Sequence, residues 1–127
     1  MIKKLKLIFT LFFSLLILVS CSSGINYIGE GKNWTGRYNV TINTKSNTQQ
    51  GKYIFIYRGQ SNFNNNIDDL IIENGNKTTK LSNFGLINGE LSIPVNCSGC
   101  ALPKKEDPIK ITIRWDNNEE SFELLSK

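Results

Sequence analysis

Histidine is absent from this chain of 127 residues, and methionine occurs once. Without histidine, the Ser-His-Asp and Cys-His arrangements of nucleophilic catalysis are excluded, and so is the commonest protein ligand of transition metals. Adjacent carboxylates do occur, at Asp68-Asp69, Glu106-Asp107 and Glu119-Glu120, but each pair lies beside a polar turn. General acid–base catalysis needs a desolvated carboxyl group, so the sequence predicts no catalytic residue and no enzyme.

A strong charge of either sign is also absent once the first 20 residues are set aside. Lys3, Lys4 and Lys6 account for three of the 15 basic residues, so residues 21–127 carry 12 basic and 11 acidic side chains, a net charge of +1. This balance gives no support for nucleic-acid binding. The remaining 107 residues suit one small domain.

The N-terminus has the layout of a secretory signal peptide. Three lysines among the first six residues precede an apolar run from Leu7 to Phe13, which resumes after Ser14 and continues to Val19. The run is too short, and too closely followed by small polar residues, to predict a membrane span. We therefore expect residues 1–20 to be removed from the mature protein.

The segment Leu18-Val19-Ser20-Cys21, followed by Ser22-Ser23-Gly24, resembles the lipobox of bacterial lipoproteins. The resemblance implies cleavage just before Cys21, a diacylglycerol on the Cys21 thiol, and a location on the outer face of the bacterial cytoplasmic membrane. Two acyl chains are enough for stable anchoring. The alternative is an ordinary signal peptide cut near Ser20, which leaves Cys21 as a free thiol.

The mature chain is dominated by period-two alternation and shows no sustained helical period. Residues 21–33 are rich in Ser, Gly and Asn and predict a lipid-anchored tether, while residues 34–127 predict one β domain. About seven short strands separated by turn signals favour an all-β, immunoglobulin-like two-sheet sandwich, with a small β-barrel as the alternative. The segments that predict strands and their turns are WTGRYNVTINT (34–44), KYIFIYRG (52–59), LIIENGN (70–76), GLINGELSIP (85–94) and IKITIRWDNNEESFELL (109–125).

Cys97 and Cys100 are the cysteines that remain after Cys21, and they lie in a proline-flanked loop. A thioredoxin-type center would need the first cysteine at a helix N-terminus, and no helix is predicted here. Structural zinc takes four ligands, usually Cys and His, and copper(I) would have no methionine partner in the mature chain. The pair is therefore expected to be a local disulfide, or two unreactive thiols, with thiol-disulfide exchange or metal handling as the alternative.

The segment NFNNNIDD (62–69) gathers oxygen ligands without the spacing of an EF-hand loop. A flexible loop is favoured over weak calcium binding, and no metal site is predicted. Loops on a rigid β domain are where such folds place binding residues. The sequence thus predicts a contact surface at loop 96–108 and at a second loop that includes Asn64, Asn65, Asn66, Asp68 and Asp69.

Two stretches, GEGKNWTGRYNV (29–40) and IKITIRWDNNEESFELL (109–125), resemble small uncharacterized lipoproteins of Bacillus-type Gram-positive bacteria. That group opens with Gly-Glu-x-x-x-Trp after the lipid cysteine and closes on a hairpin of the form Ile-x-Trp-Asp/Asn-x-x-x-Glu-x-Phe-x-Leu. The resemblance implies a β-sandwich-like lipoprotein and carries no activity. The matching residues are Gly29, Glu30, Trp34, Ile113, Trp115, Asp116, Glu120, Phe122 and Leu124.

These observations predict a membrane-anchored, non-enzymatic binding or structural domain that takes no cofactor. Its expected partners are the membrane, through the lipid on Cys21, and an extracytoplasmic protein or envelope ligand. Trp115 continues the apolar alternation of Ile109, Ile111 and Ile113, so a core role is favoured over a ligand platform.

Overall fold

A computed structural model describes residues 2–6, 22–60, 63–100 and 104–127. Residues 2–6 are helical, and the other described residues form strands and their connections. Most of the predicted signal peptide, together with Cys21, lies outside the described residues. The strands are β1 (Ser22–Glu30), β2 (Trp34–Asn43), β3 (Thr48–Tyr57), β4 (Asn66–Asn74), β5 (Lys77–Gly85), β6 (Glu90–Ser98), β7 (Ile109–Trp115) and β8 (Asn118–Ser126).

All eight strands belong to one antiparallel sheet with the order β5-β4-β7-β8-β1-β2-β3-β6. The sheet curls into a nearly closed barrel. Its two edge strands, β5 and β6, are consecutive in the chain, and a turn whose Ile87 and Glu90 form an isolated bridge joins them. The all-β prediction is confirmed. The two-sheet immunoglobulin-like sandwich is not, because β1 pairs with β8 and links the halves into one sheet.

Strand β1 lies where the sequence predicts a tether, so that prediction is wrong for residues 22–30. Nine residues of β1 pair with β2, from Ser22 opposite Asn43 to Glu30 opposite Thr35. The reason is that Ile25 and Tyr27, the inward-facing residues, are 7% and 1% exposed. Two inward-facing apolar residues in an otherwise polar segment are enough to hold a strand in the sheet when a strand lies on each side for pairing.

The core fills the inside of the barrel, and its buried apolar side chains lie between Ile25 and Leu124 in the sequence. Among the described residues no charged or polar side chain belongs to this core. The wall is tight at Gly36 on β2, where an added Cβ would lie 2.9 Å from Leu124 and 3.0 Å from Phe122. The interior is therefore a packed core with no room for a ligand channel at this level.

The strands run between two ends of the barrel, which we call the lower rim and the upper rim. The lower rim consists of Ser22 and the connections β2–β3, β4–β5 and β6–β7. The upper rim consists of the connections β1–β2, β3–β4, β5–β6 and β7–β8. Every strand alternates in direction with its neighbours, so this division follows directly from the sheet order.

Candidate functional site

The upper rim is closed from inside by four aromatic side chains, Trp34, Tyr57, Phe63 and Trp115. The ring of Trp34 lies 5.1 Å from Tyr57, 5.9 Å from Phe63 and 5.6 Å from Trp115, measured between centroids. Trp34 is 1% and Trp115 4% exposed, so the predicted core role of Trp115 is confirmed. The buried Trp34 Nε1 makes no hydrogen bond with the described residues.

Glu120 holds the turn between β1 and β2. The backbone N–H of Asn33 donates to both carboxylate oxygens of Glu120, at 2.9 and 3.1 Å. Hydrogen bonds to an ionised acceptor are stronger than neutral ones, so this contact fixes the turn to the last hairpin. Gly31 leaves room for this carboxylate, because an added Cβ would lie 2.6 Å from Glu120 Oε1 and would displace the Glu120 side chain.

Gly29 marks the closest approach of β1 to β8. A Cβ at this position would collide with the backbone carbonyl of Glu123 and would lie 3.1 Å from the Cα of Leu124. The residues that carry the resemblance to the lipoprotein group therefore meet in space. Gly29 contacts Glu123 and Leu124, the turn after Glu30 binds Glu120, and Trp34 packs on Trp115.

The predicted Asn-rich contact loop is only partly a loop. Asn66, Asp68 and Asp69 belong to β4, because Ile67 is fully buried and seats the strand from Asn66 onward. Asn64 and Asn65 do lie in the β3–β4 connection. The Asn64 amide donates to Asp116 Oδ1 at 3.0 Å, and Asn65 has a φ of 60°. These contacts hold the described part of the β3–β4 connection in a defined position over the upper rim.

Asp69 faces the outside of the sheet and makes polar contacts there. The Ser82 hydroxyl donates to Asp69 Oδ1 at 2.7 Å, Lys80 lies 3.9 Å from Oδ1, and Arg114 lies 3.6 Å from Oδ2. The Ser82 hydrogen bond, followed by these cations, lowers the pKa of Asp69. Its environment is therefore that of a surface ion pair and differs from that of a desolvated acid. Among the described residues no group of three or more metal-ligating side chains converges.

Cys97 and Cys100 lie at disulfide distance on the lower rim, with their Cα atoms 5.9 Å apart. Cys97 is on the edge strand β6, which runs three residues into the predicted loop 96–108. The loop is tied to its neighbour, since Gly99 N–H donates to Asn47 O at 2.8 Å and Gln49 Nε2 donates to Cys100 O at 3.3 Å. No helix begins at either cysteine within the described residues.

A row of tyrosines crosses the barrel above the lower rim. Tyr38 stacks on Tyr53 at 4.0 Å and on Tyr27 at 5.9 Å. The Tyr27 hydroxyl donates to Lys104 O at 3.4 Å, and Asn74 Nδ2 donates to the Tyr53 hydroxyl at 3.4 Å. Burial raises the pKa of all three tyrosines. The row thus links three strands to the β6–β7 connection and to the end of β4.

Two of the surface depressions on the described part of the chain are shallow and open to solvent. One of about 200 Å³ lies beside the β6–β7 connection, and one of about 80 Å³ lies on the outer face of β1, β2 and β3. The first depression is lined by Lys105, Glu106, Asp107, Pro108, Leu125 and Ser126. A ligand pocket usually has a volume of roughly 300 to 1,000 Å³, so neither depression has the form of an active site.

Comparisons with known proteins add no relative: no family model, no curated protein and no solved structure matches the chain. Within the described residues, no helical segment has the length and apolar character that crossing a membrane requires. Function is therefore inferred from the residues of this chain and from the two rims.

Proposed function

We propose that this protein is a bacterial lipoprotein whose β domain is held on the outer face of the cytoplasmic membrane by a diacylglycerol on Cys21. The observation that carries the proposal is the segment Leu18-Val19-Ser20-Cys21 at the end of an apolar run. The position of β1 supports it, because this strand starts at Ser22, directly after the proposed lipid-bearing residue.

Detergent-phase partitioning tests this anchor. The wild-type protein should stay with membranes and enter the detergent phase, because two acyl chains give stable anchoring. Cys21→Ala should prevent lipid attachment, so the chain should remain uncut or be released. Cys97→Ala is the matched control, since it also removes one thiol and should leave partitioning unchanged. A wild-type protein found wholly in the aqueous phase would refute the anchor.

For the domain itself we propose a non-enzymatic role in binding or support at the envelope. Of the upper-rim aromatic side chains, Trp34 and Trp115 are buried in the core and the other two pack against it, and the two depressions hold no buried acid, base or nucleophile among their lining residues. An extracytoplasmic protein or envelope ligand would contact the exposed connections. Crosslinking in intact cells from Asn65, an exposed residue of the upper rim, tests for such a partner.

A second candidate function is thiol-disulfide exchange or metal handling by Cys97 and Cys100, which their disulfide distance on an edge strand keeps open. Acidic thiol trapping followed by intact mass measures their oxidation state. A reduction potential close to that of catalytic pairs would favour exchange, and one far below it would favour a structural clasp. We favour the clasp because no helix begins at either cysteine among the described residues.

A further inference from the structure

We propose that the lower rim of the barrel is a docking surface for anionic lipid headgroups. This inference rests on the proposed anchor at Cys21 and assigns to the domain a fixed orientation on the membrane. The partner is a bilayer surface that carries phosphate groups with net negative charge. Two independent observations support it: the absence of a spacer after Cys21, and the unequal charge of the two rims.

The first observation is the start of β1. Ser22 is already paired with Asn43 in the sheet, so Cys21 is the covalent neighbour of a residue in the barrel wall. One residue spans at most about 3.6 Å of extended chain, which leaves no room for a flexible arm. A lipid on Cys21 would hold the lower rim near the headgroups, within the roughly 8 Å over which charges act at physiological ionic strength.

The second observation is the distribution of charge between the rims. The connections of the lower rim and the strand residues that adjoin them carry Lys45, Lys77, Lys104 and Lys105 against Glu106 and Asp107, a net charge of +2. By the same count, the upper rim carries Lys32 and Arg58 against Glu30, Glu90 and Asp116, a net charge of −1. The positive end of the barrel is thus the end that adjoins Cys21.

The geometry leaves the four lower-rim lysines free to reach a bilayer. Lys45 lies in the β2–β3 turn, Lys77 begins β5 after the β4–β5 turn, and Lys104 and Lys105 lie in the β6–β7 connection, and all four are exposed. The main chain of Lys104 and Lys105 is held by the Tyr27 and Ser126 hydroxyls, which donate to their carbonyls. The side chains can therefore be exchanged without disturbing the contacts that position the rim.

Each basic side chain near an anionic membrane strengthens binding about fivefold at moderate salt. Acidic side chains on the same rim oppose this, so Glu106 and Asp107 should weaken the interaction. The upper rim lies about 30 Å away, the length of a nine-residue strand, which is several times the screening distance. Only charges on the lower rim should influence docking.

Vesicle sedimentation of residues 22–127 tests the proposal without the lipid anchor. This segment keeps every described core residue, from Ile25 to Leu124, and so retains the packing that folds the domain. At low ionic strength it should sediment with vesicles of phosphatidylglycerol and phosphatidylcholine in equal parts, and not with phosphatidylcholine alone. Because no acyl chain is present, the outcome is independent of whether Cys21 is lipidated.

Matched variants assign the binding to one rim. Replacing Lys45, Lys77 and Lys104 by Gln should lower the partition coefficient at least tenfold. Replacing Lys32 and Arg58 of the upper rim by Gln, together with the exposed Arg37 of β2, should change it less than about twofold. Both triple variants have the same net charge. Glu106→Gln combined with Asp107→Asn should raise binding. Equal losses in the two triple variants, or no binding of the wild-type segment to anionic vesicles, would overturn the proposal.

Discussion

At the scale of single residues, the most constrained positions are those where two strands approach too closely for a side chain. Gly29 is such a position, because its Cα faces the Glu123 carbonyl across the junction of β1 and β8. That junction is paired over only two residue pairs, Tyr27 with Ser126 and Ile28 with Leu125. The integrity of the whole sheet thus depends on a short contact that a methyl group would separate.

Gly29→Ala should therefore lower the free energy of unfolding by about 3 kcal/mol, because the added Cβ forces the two backbones apart. Gly24→Ala is the matched control on the same strand, where an added Cβ would meet the Val40 carbonyl oxygen at an ordinary contact distance of 3.8 Å. It should change stability by less than about 0.5 kcal/mol. Urea denaturation followed by tryptophan fluorescence measures both, and equal effects would refute the close approach.

Glu120 is the second residue with a specific structural role, through the Asn33 N–H. Glu120→Ala should cost about 2 kcal/mol, because it leaves the turn N–H without its ionised acceptor. Glu119→Ala is the neighbouring control. Glu119 pairs with Arg114 on the exposed surface at 3.1 Å, and such pairs contribute about 0.5 kcal/mol. If the Glu119 variant proved the less stable of the two, the capping role of Glu120 would be wrong.

At the scale of elements, the tyrosine row on β1, β2 and β3 gives the barrel a dependence on alkaline pH. Burial raises the pKa of Tyr38 and Tyr53 above the ordinary value of 10.0, which the unfolded chain retains. The stability that this difference represents is fully present below pH 10 and is lost as the pH rises further, because the unfolded state releases its protons first.

The double variant Tyr38→Phe, Tyr53→Phe should flatten this decline, since it removes the two titrating hydroxyls and keeps the stacked rings. Chemical denaturation at a series of pH values between neutral and strongly alkaline measures the slope for both proteins. All other side chains are the same in both proteins, so the difference between the two slopes isolates the two tyrosine hydroxyls. Identical slopes would contradict the burial of these hydroxyls.

The Cys97–Cys100 pair is an element of the lower rim, and it should contribute little to folding. A closed loop of four residues contributes about 2 kcal/mol in the chain-entropy model. Cys97→Ser combined with Cys100→Ser should lower the free energy of unfolding by no more than that amount and should leave the far-ultraviolet circular dichroism of the barrel unchanged. An unfolded double variant would show that the clasp is essential.

Sequence patterns predicted some elements and missed others for a physical reason. The segments of β2, β7 and β8 alternate, and that of β3 is aromatic and β-branched throughout, so the sequence predicts these four strands. In β4 the buried residues Ile67, Leu70 and Ile72 are spaced by three and then two, and the facing residue Asn83 of β5 has a φ of 59°. This local irregularity interrupts the period-two alternation. The sequence pattern therefore predicts a strand shorter than β4 and no strand at the position of β5.

At the scale of the whole molecule, one missed strand changes the predicted architecture. The mostly polar residues of β1 predict a tether, and without β1 no strand connects β2 to β8. The remaining strands then suggest two separate sheets, whereas β1 connects them into one curled sheet. The all-β class could be predicted from local alternation, but the closure of the sheet depends on pairing between residues about 100 positions apart, as between Tyr27 and Ser126.

The candidate site also has features that the sequence predicts and features that only the fold reveals. The motif at Cys21 and the spacing of Cys97 and Cys100 are local in sequence, so the sequence alone could identify them. The charge difference between the rims was invisible before the fold, because Lys45, Lys77 and Lys104 belong to three separate connections. The aromatic closure of the upper rim likewise joins β2, β3, β7 and the β3–β4 connection, which no sequence spacing reveals.

The most direct test of the proposed anchor is the mass of the N-terminal peptide of the protein purified from membranes. We expect a chain that begins at Cys21 and carries a diacylglycerol on its thiol, with the mass shift confined to that peptide. Base treatment, which hydrolyses ester-linked acyl chains, should remove the added mass of those chains. A chain that begins elsewhere, or a Cys21 peptide with a free thiol, would contradict the lipid anchor and the membrane orientation derived from it.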